Sequence, residues 1–467
     1  MVISKFINVR NVMSELPVVV IGAGPQGLAV AAHLTERGCD VIVLERGSGP
    51  ATAVSEWGHV RLFSRWPELT DAASRRLLEP SGWTAPTDGY PTGAEWIVRY
   101  LAPLAEVLGE RVRYSTTVTG VARKGRDRVV ESGRAGQPFV VHAIGSDGEE
   151  LRIGARAVVD ASGTWGRPNP AGAEGLPAIG ETGFASHISY RIPDDVTAQA
   201  GRHVVVIGSG HSATHTVLRL TALARRHPGT RVSWLMRRGK AASRLLGGAT
   251  GDALPERAAL GARARKVIES GLVDVIQGFR VAEFRADEEG LTIIADSGGA
   301  VRGVSHVFAL TGFRPDLGML SEVRVAWDPT LEAVAGIAAD IDPNLHSCGS
   351  VGATGAAELT QPEDDFYIIG AKSYGRAPTF LALTGFEQAR SVAAQLAGDL
   401  IAARSTQLTL PATGVCGGSG DFDGEGGSCC GNPLVQVGTV RARMELIPAT
   451  ADHAAENSDS TPARSIR

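Results

Sequence analysis

Val18-Val-Val-Ile21 runs straight into Gly22-Ala-Gly24-Pro-Gln-Gly27, and Leu28 to Glu36 continues as a helix-like apolar run. A short buried strand, a glycine turn and a helix thus occupy consecutive positions. A second apolar strand, Val41 to Leu44, ends in Glu45, 21 residues after Gly24, with Arg46 next to it. The pattern is G-x-G-x-x-G with its acid in register. Gly22 makes the tight turn, Gly24 lets the backbone approach a pyrophosphate, Gly27 lets helix and strand pack closely, and Glu45 can accept ribose hydroxyls. The helix N-terminus supplies unpaired N–H groups and the positive end of a dipole to the anion. A plain tight βα turn explains the glycines alone; the strand, helix and acid together favour a dinucleotide site.

The pattern occurs a second time. Val204 to Ile207 leads into Gly208-Ser-Gly210-His-Ser212-Ala213 and a helical run to about Arg226, with alanine in the third glycine position, which the pattern allows. The next strand, Val232 to Met236, ends in Arg237-Arg238 where the first copy ends in Glu45. Arginine at that place can pair with a 2′-phosphate, so the second unit reads as an NADPH site; a solvated basic loop is the alternative.

Outward from these two loops, the chain reads as α/β, with tandem Rossmann-like dinucleotide-binding domains, the second inserted into the first, and a flexible C-terminal tail. The expected boundaries are 16–199 for the first part of the first domain, 200–315 for the inserted NAD(P)H domain, 316–404 for the return of the first domain and 405–467 for the tail. Within the first part, residues 50–110 form a Trp- and Arg-rich insert ending in an amphipathic helix, Glu95 to Leu108. Strands are expected at Val112 to Val118, Arg128 to Val130, Phe139 to Ile144 and Leu151 to Asp160. The second unit repeats the plan with strands near Val273 to Ile276, Arg280 to Phe284, Leu291 to Ile294 and His306 to Leu310. A strand Phe366 to Gly370 and a helix Phe380 to Leu396 complete the first domain.

At 467 residues and 43% hydrophobic, the chain is long enough for two or three domains with proper cores. A net charge of −4 argues against general attraction to nucleic acid or membrane. The longest apolar candidate, Val18 to Leu34, is broken by Gly, Pro, Gln and His and falls short of the roughly 20 residues a membrane span needs. Met1 to Leu16 does not read as a signal peptide, and Met13 is an alternative start. Five cysteines, three crowded into the tail, make no disulfide framework and suit a reducing cytoplasm, the expected location.

This tandem arrangement resembles the two-dinucleotide-binding-domain flavoproteins, which include the flavin monooxygenases and the pyridine nucleotide-disulfide reductases. Val158-Val-Asp160-Ala-Ser162-Gly163-Thr164 and Phe308-Ala-Leu-Thr311-Gly312-Phe-Arg314-Pro-Asp316 look like the family's two crossings between domains. The resemblance implies FAD on Gly22, Gly24, Gly27, Glu45, Arg46, Ser162, Gly163, Gly370 and Thr379, and NADPH on Gly208, Gly210, Ser212, Ala213, Arg237 and Arg238. A helix starting near Thr379 would aim N–H groups at the flavin ring. Two departures qualify the likeness. The monooxygenase motif F-x-G-x-x-x-H is met at Gly183 and His187, but Glu181 stands where Phe belongs, so His187 is either a weak catalytic candidate or a hydrogen-bonded structural residue. No C-x-x-C or C-x-x-x-x-C pair exists, which argues against a dithiol beside the flavin; Cys39 fits a small buried role and Cys348 is solitary.

Three stretches, Glu56-Trp-Gly-His-Val-Arg-Leu-Phe-Ser64, Ser373-Tyr-Gly-Arg376-Ala-Pro-Thr-Phe380 and Gly414-Val-Cys-Gly, resemble a bacterial flavoprotein subgroup found beside arsenic-resistance genes. Cys416, Cys429 and Cys430 in the glycine-rich tail could converge on a thiophilic ion such as trivalent arsenic, serve as a redox shuttle, or do nothing. A Cys429–Cys430 bridge would be strained, adjacent Cα atoms being about 3.8 Å apart against a usual disulfide span of about 4.4–6.8 Å. The leading expectation is an FAD-dependent, NADPH-using, monooxygenase-like oxidoreductase acting on a small molecule. The alternatives are a thiol or metalloid reductase using the tail cysteines, and a flavin-bound metalloid-binding or sensor protein without turnover.

Overall fold

The computed structural model describes residues 15–239, 255–288, 290–343, 352–378 and 380–408. The first unit opens with β1 (Val18–Ile21), α1 (Pro25–Glu36) and β2 (Val41–Leu44). After the insert come β3 (Val112–Arg113), an antiparallel meander of β4 (Thr117–Arg123), β5 (Phe139–Ile144) and β6 (Glu150–Ala155), and then β7 (Ala157–Asp160). Every residue of β1 and β7 is buried. Their Val-rich runs without alternation are what a parallel strand covered on both faces requires.

The second unit continues with β8 (Ile188–Ser189), β9 (His203–Ile207), α2 (His211–Arg226), β10 (Arg231–Met236), α3 (Pro255–Glu269) and β11 (Asp274–Gln277). A second meander comprises β12 (Val281–Asp287), β13 (Gly290–Ala295) and β14 (Ala300–Val304), and β15 (His306–Ala309) closes the unit. A short hairpin of β16 (Trp327–Asp328) and β17 (Ala333–Val334) then leads to β18 (Phe366–Ile368) and α4 (Ala382–Leu396).

The strand orders give the topology. The first parallel sheet runs β18-β7-β1-β2-β3 and the second β11-β10-β9-β15-β8. Because β18 pairs with β7 after the whole second unit has intervened, the second unit is inserted into the first. The cores obey the same division: one draws on residues 18–159 and 320–396, the other two on residues 171–310.

Three local expectations change. The first crossing falls before Ala171 rather than at 199, because Ala171 and Ala178 pack in a core of the second unit and β8 pairs with β15. Arg128 to Val130 is a turn, not a strand: the Asp127 carboxylate accepts from the Val129 and Val130 N–H groups and offers the backbone an alternative to a ladder. The segment Glu95 to Leu108 is helical but contains a π turn, Ile97–Leu101, ahead of Pro103. Proline supplies no N–H, and the wider turn accommodates the missing bond. Among the described residues no helix is long and apolar enough to cross a membrane.

Candidate functional site

Both glycine loops sit where a parallel strand ends and a helix begins. Gly22 and Gly208 have φ of +98° and +124°, a region open to glycine at little cost. Each packs against the opposite crossing: a Cβ on Gly22 would lie 3.0 Å from the Ala161 carbonyl oxygen, and one on Gly208 2.3 Å from that of Leu310. Gly27 meets a harder limit, since its Cβ would fall 1.9 Å from the Gly22 oxygen. In the second copy Ala213 takes this place, fully buried in the core of its unit. Gly24 and Gly210 differ in kind: a Cβ on either would meet nothing within 4 Å. Their missing side chains leave room for a ligand and relieve no protein contact. Each is also the N-cap of its helix, and neither helix has a side-chain cap, so the first N–H groups face the loop.

A cleft of about 380 Å³ lies over the first loop and is lined by Gly22, Gly24, Glu45, Arg46, Ser162, Gly163, Gly370 and Lys372. The Glu45 carboxylate, 6% exposed, accepts from Ala23 N at 2.8 Å and from Gly47 N at 2.9 Å. It therefore fixes the loop as well as facing the cleft, and a carboxylate retains lone pairs for hydroxyl donors. At the far wall Lys372 Nζ donates to Asp160 Oδ2 at 2.6 Å and to Ser162 Oγ at 3.1 Å, while Asp160 Oδ1 accepts from Ser162 N and Oγ. Both members of this ion pair are fully buried. Lys372 escaped sequence reasoning because a lysine after a strand reads as surface; the Asp160-x-Ser162 turn opposite was visible, its partner was not. Thr379 lies outside the described residues, and the helix expected near it begins at Ala382.

The second cleft, about 390 Å³, is lined by Gly208, Gly210, His211, Ser212 and Arg237 from the second unit and by Trp165, Asn169, Phe313, Arg314 and Arg376. Arg237 donates to the Ala173 carbonyl at 2.8 Å, and its burial, together with the charges of Arg238 and Arg376, lowers its pKa from the ordinary guanidinium range. Arg238 comes next in the chain but does not line the cleft. Arg314 and Arg376 add two guanidinium groups that lie inside sequence motifs without having signalled a role there. Glu332 stands near both, at 3.7 and 4.0 Å.

His187 ends a short helix, Glu181–His187, is exposed, and contacts Ser186 and the ring of Phe184; it lines neither cleft. Glu181, the departure from the monooxygenase motif, is buried and accepts from Ala171 N, Ala178 N and the Tyr190 hydroxyl. Its carboxylate folds the entry to the second unit. Burial first, and the Glu181 carboxylate second, push the Tyr190 hydroxyl well above its usual range. Cys39 is half-buried against the first core. Cys348, Cys416, Cys429 and Cys430 lie outside the described residues.

Two parallel-sheet units, the second spliced into the first, with a glycine cradle at the strand ends of each, define a two-domain dinucleotide-binding fold. The chain belongs to the pyridine nucleotide-disulphide oxidoreductase family, whose model matches residues 19–335. It is 32% identical over 205 residues to indole-3-pyruvate monooxygenase YUCCA1 of Oryza sativa, a match covering 43% of this chain and 44% of that relative. The chain spans less than half the length of the first curated relatives it matches. Among solved structures it is similar to the bacillithiol disulfide reductase Bdr of Bacillus cereus, with a TM-score of 0.61 and 21% identity over 82% of this chain and 99% of that one. It is also similar to the FAD-bound cadaverine monooxygenase of Erwinia amylovora, with a TM-score of 0.54 and 15% identity over 84% and 98%.

Proposed function

We propose that the chain is an NADPH-using, monooxygenase-like flavoenzyme that holds FAD in the first cleft and NADPH in the second. The single observation carrying this is the paired open space at Gly24 and Gly210, where a side chain would meet no protein atom yet would fill the room a pyrophosphate needs. Gly22, Gly24, Glu45, Arg46, Ser162, Gly163 and Gly370 would hold FAD, with Gly27 letting the helix pack behind the loop and Lys372 keeping Asp160 neutralised beside it. Gly208, Gly210, Ser212 and Arg237 would hold NADPH, with the buried Ala213 packing the helix behind the loop, and Arg314 and Arg376 add charge for its phosphates.

Flavin, when bound, supplies the capacity to accept hydride and to pass electrons to dioxygen; the protein contributes placement and electrostatics. The loop N–H groups orient the diphosphates, Glu45 orients the ribose, and Trp165 and Phe313 wall the second cleft at the crossings. A monooxygenase reading is favoured over transfer through a dithiol beside the flavin because the sequence has no C-x-x-C or C-x-x-x-x-C pair. The test is anaerobic reduction of the purified protein by NADPH and by NADH, then admission of oxygen. Faster bleaching of flavin colour with NADPH, with oxygen uptake matching its oxidation, is the expected result. Absence of bound flavin, or turnover that needs a disulfide acceptor and ignores oxygen, overturns the reading.

A further inference from the structure

A third cleft, about 450 Å³, lies between the 50–110 insert and α2 and is lined by His59, Arg61, Phe63, His215, Arg219 and Arg263 among others. Its volume falls in the range of small-molecule sites. Neither nucleotide loop contributes to it. Three guanidinium groups face one lining carboxylate, that of Glu256. His215 and Arg219 lie one turn apart on α2 and so share a face. Arg219 is held in place by the Pro193 and Asp194 carbonyls, whereas Arg263 has no hydrogen-bond or ion-pair partner among the described residues.

Two buried imidazole nitrogens, Nε2 of His59 and of His215, have no hydrogen-bond partner among the described residues. Unpartnered buried polar atoms are rare and call for an occupant or a water. Burial first, then the charges of Arg263, His211 and Arg219, hold the His215 pKa down to about 4, so its ring is neutral at physiological pH. The remaining lining is aromatic and aliphatic: the Phe63 ring stacks on that of His215 at 6.4 Å, with Tyr90, Leu62 and Ile192 around it. The cleft abuts the second nucleotide site, because Ile192 lines both and Phe63 meets the ring of His211 edge-on at 4.8 Å.

We infer that this cleft is a binding site for a small carboxylic acid with a flat apolar body, whose carboxylate lies on Arg219 and Arg263 and whose body lies on Phe63. An ammonium substrate finds the wrong charge here, and a bare oxyanion leaves the aromatic wall without a partner.

The probe pair is 3-phenylpropionate and its neutral isostere 3-phenylpropanamide, titrated calorimetrically into the flavin-loaded protein. The acid is expected to bind at least about tenfold tighter than the amide, and R263M and R219M to abolish that difference. R263M alters an exposed side chain, and flavin content with thermal melting checks that both variants fold. Inorganic phosphate is titrated in parallel. No binding of the acid, equal binding of acid and amide, phosphate as tight as the acid, or loss of the acid in R237M but not in R263M overturns the assignment. Wild-type reduction by NADPH without any acid present tests the oxidoreductase reading separately, so failure of one is told from failure of the other.

Discussion

Gly24 and Gly27 stand three positions apart in one loop and are glycine for opposite reasons. Gly27 is confined by its own protein, with a backbone oxygen 1.9 Å from where a Cβ would sit, while Gly24 has nothing within 4 Å. Gly27→Ala must displace α1 from the loop and is expected to destabilise even the flavin-free protein, by about 1–3 kcal/mol as an overpacked site does. Gly24→Ala is expected to melt with the flavin-free wild type yet retain little FAD. Flavin content and melting curves of the two variants check the contrast; equal loss of stability in both would mean the loop is only a packing device. Lys372 is constrained by charge instead of volume. Truncating it as Lys372→Met leaves the Asp160 carboxylate buried without its cation, a change expected to cost about 3–5 kcal/mol. K372M/D160N should recover much of that in denaturant titrations. The glycines were legible because their spacing is itself the signal. Lys372 was not, because only the return of β18 beside β7 carries it to Asp160.

Among the elements, the return segment is tied to the first meander by one carboxylate. Glu363 accepts from Arg123 of β4 at 3.1 Å and from Arg134 at 2.7 Å, all three side chains nearly fully buried. Burial alone pushes this carboxyl upward, but the hydrogen bonds from Arg134 and Arg123 and the Arg134 charge outweigh it, leaving the pKa below the ordinary 4.5. A folded value below the unfolded one means the stabilisation is fully present above the unfolded pKa and is lost as pH falls through the folded value. Glu363→Gln should therefore weaken the protein most near neutrality, by up to about 3–5 kcal/mol, with the gap to wild type closing in acid. Urea unfolding of both proteins across that range checks it; a gap independent of pH would show that the carboxylate's charge is irrelevant. Elements of this kind were partly legible. Strands β1, β2 and β9 announce themselves as apolar runs before glycine or charge, and β10 does so with only Ser233 interrupting Val232 to Met236. Strand β14, Ala300-Val-Arg-Gly-Val304, went unread because alanine, arginine and glycine hide the alternation that pairing with β13 supplies.

Across the two units together, the crossings between them do more than connect. Residues just after β7 line the first cleft as Ala161 to Thr164 and the second as Trp165 and Asn169; the return crossing lines the second as Leu310 to Arg314 and the first as Asp316. Hydrogen bonds lace the two crossings together, Asn169 Nδ2 donating to the Thr311 carbonyl at 3.0 Å and Arg314 Nε to Asn169 Oδ1 at 2.7 Å. Trp165 occupies the junction. Its ring lies 4.4 Å from that of Phe313, its Nε1 donates to Glu56 of the insert at 2.9 Å, and Arg191 of the second unit both pairs with Glu56 and lies over the indole. One side chain thus joins the insert, both crossings and the second unit. Hydride transfer depends steeply on the alignment of donor and acceptor, where a displacement of about 1 Å can cost about 100-fold. Trp165→Ala should therefore slow flavin reduction by NADPH at least about tenfold while flavin content stays near wild type. Trp165→Phe keeps the contact with Phe313 but not the bond to Glu56, and is expected to fall between the two. Rapid-mixing measurements of anaerobic reduction at saturating NADPH separate alignment from affinity. A normal limiting rate with only a weakened NADPH affinity would mean that Trp165 walls the nucleotide cleft without setting the approach of the two cofactors.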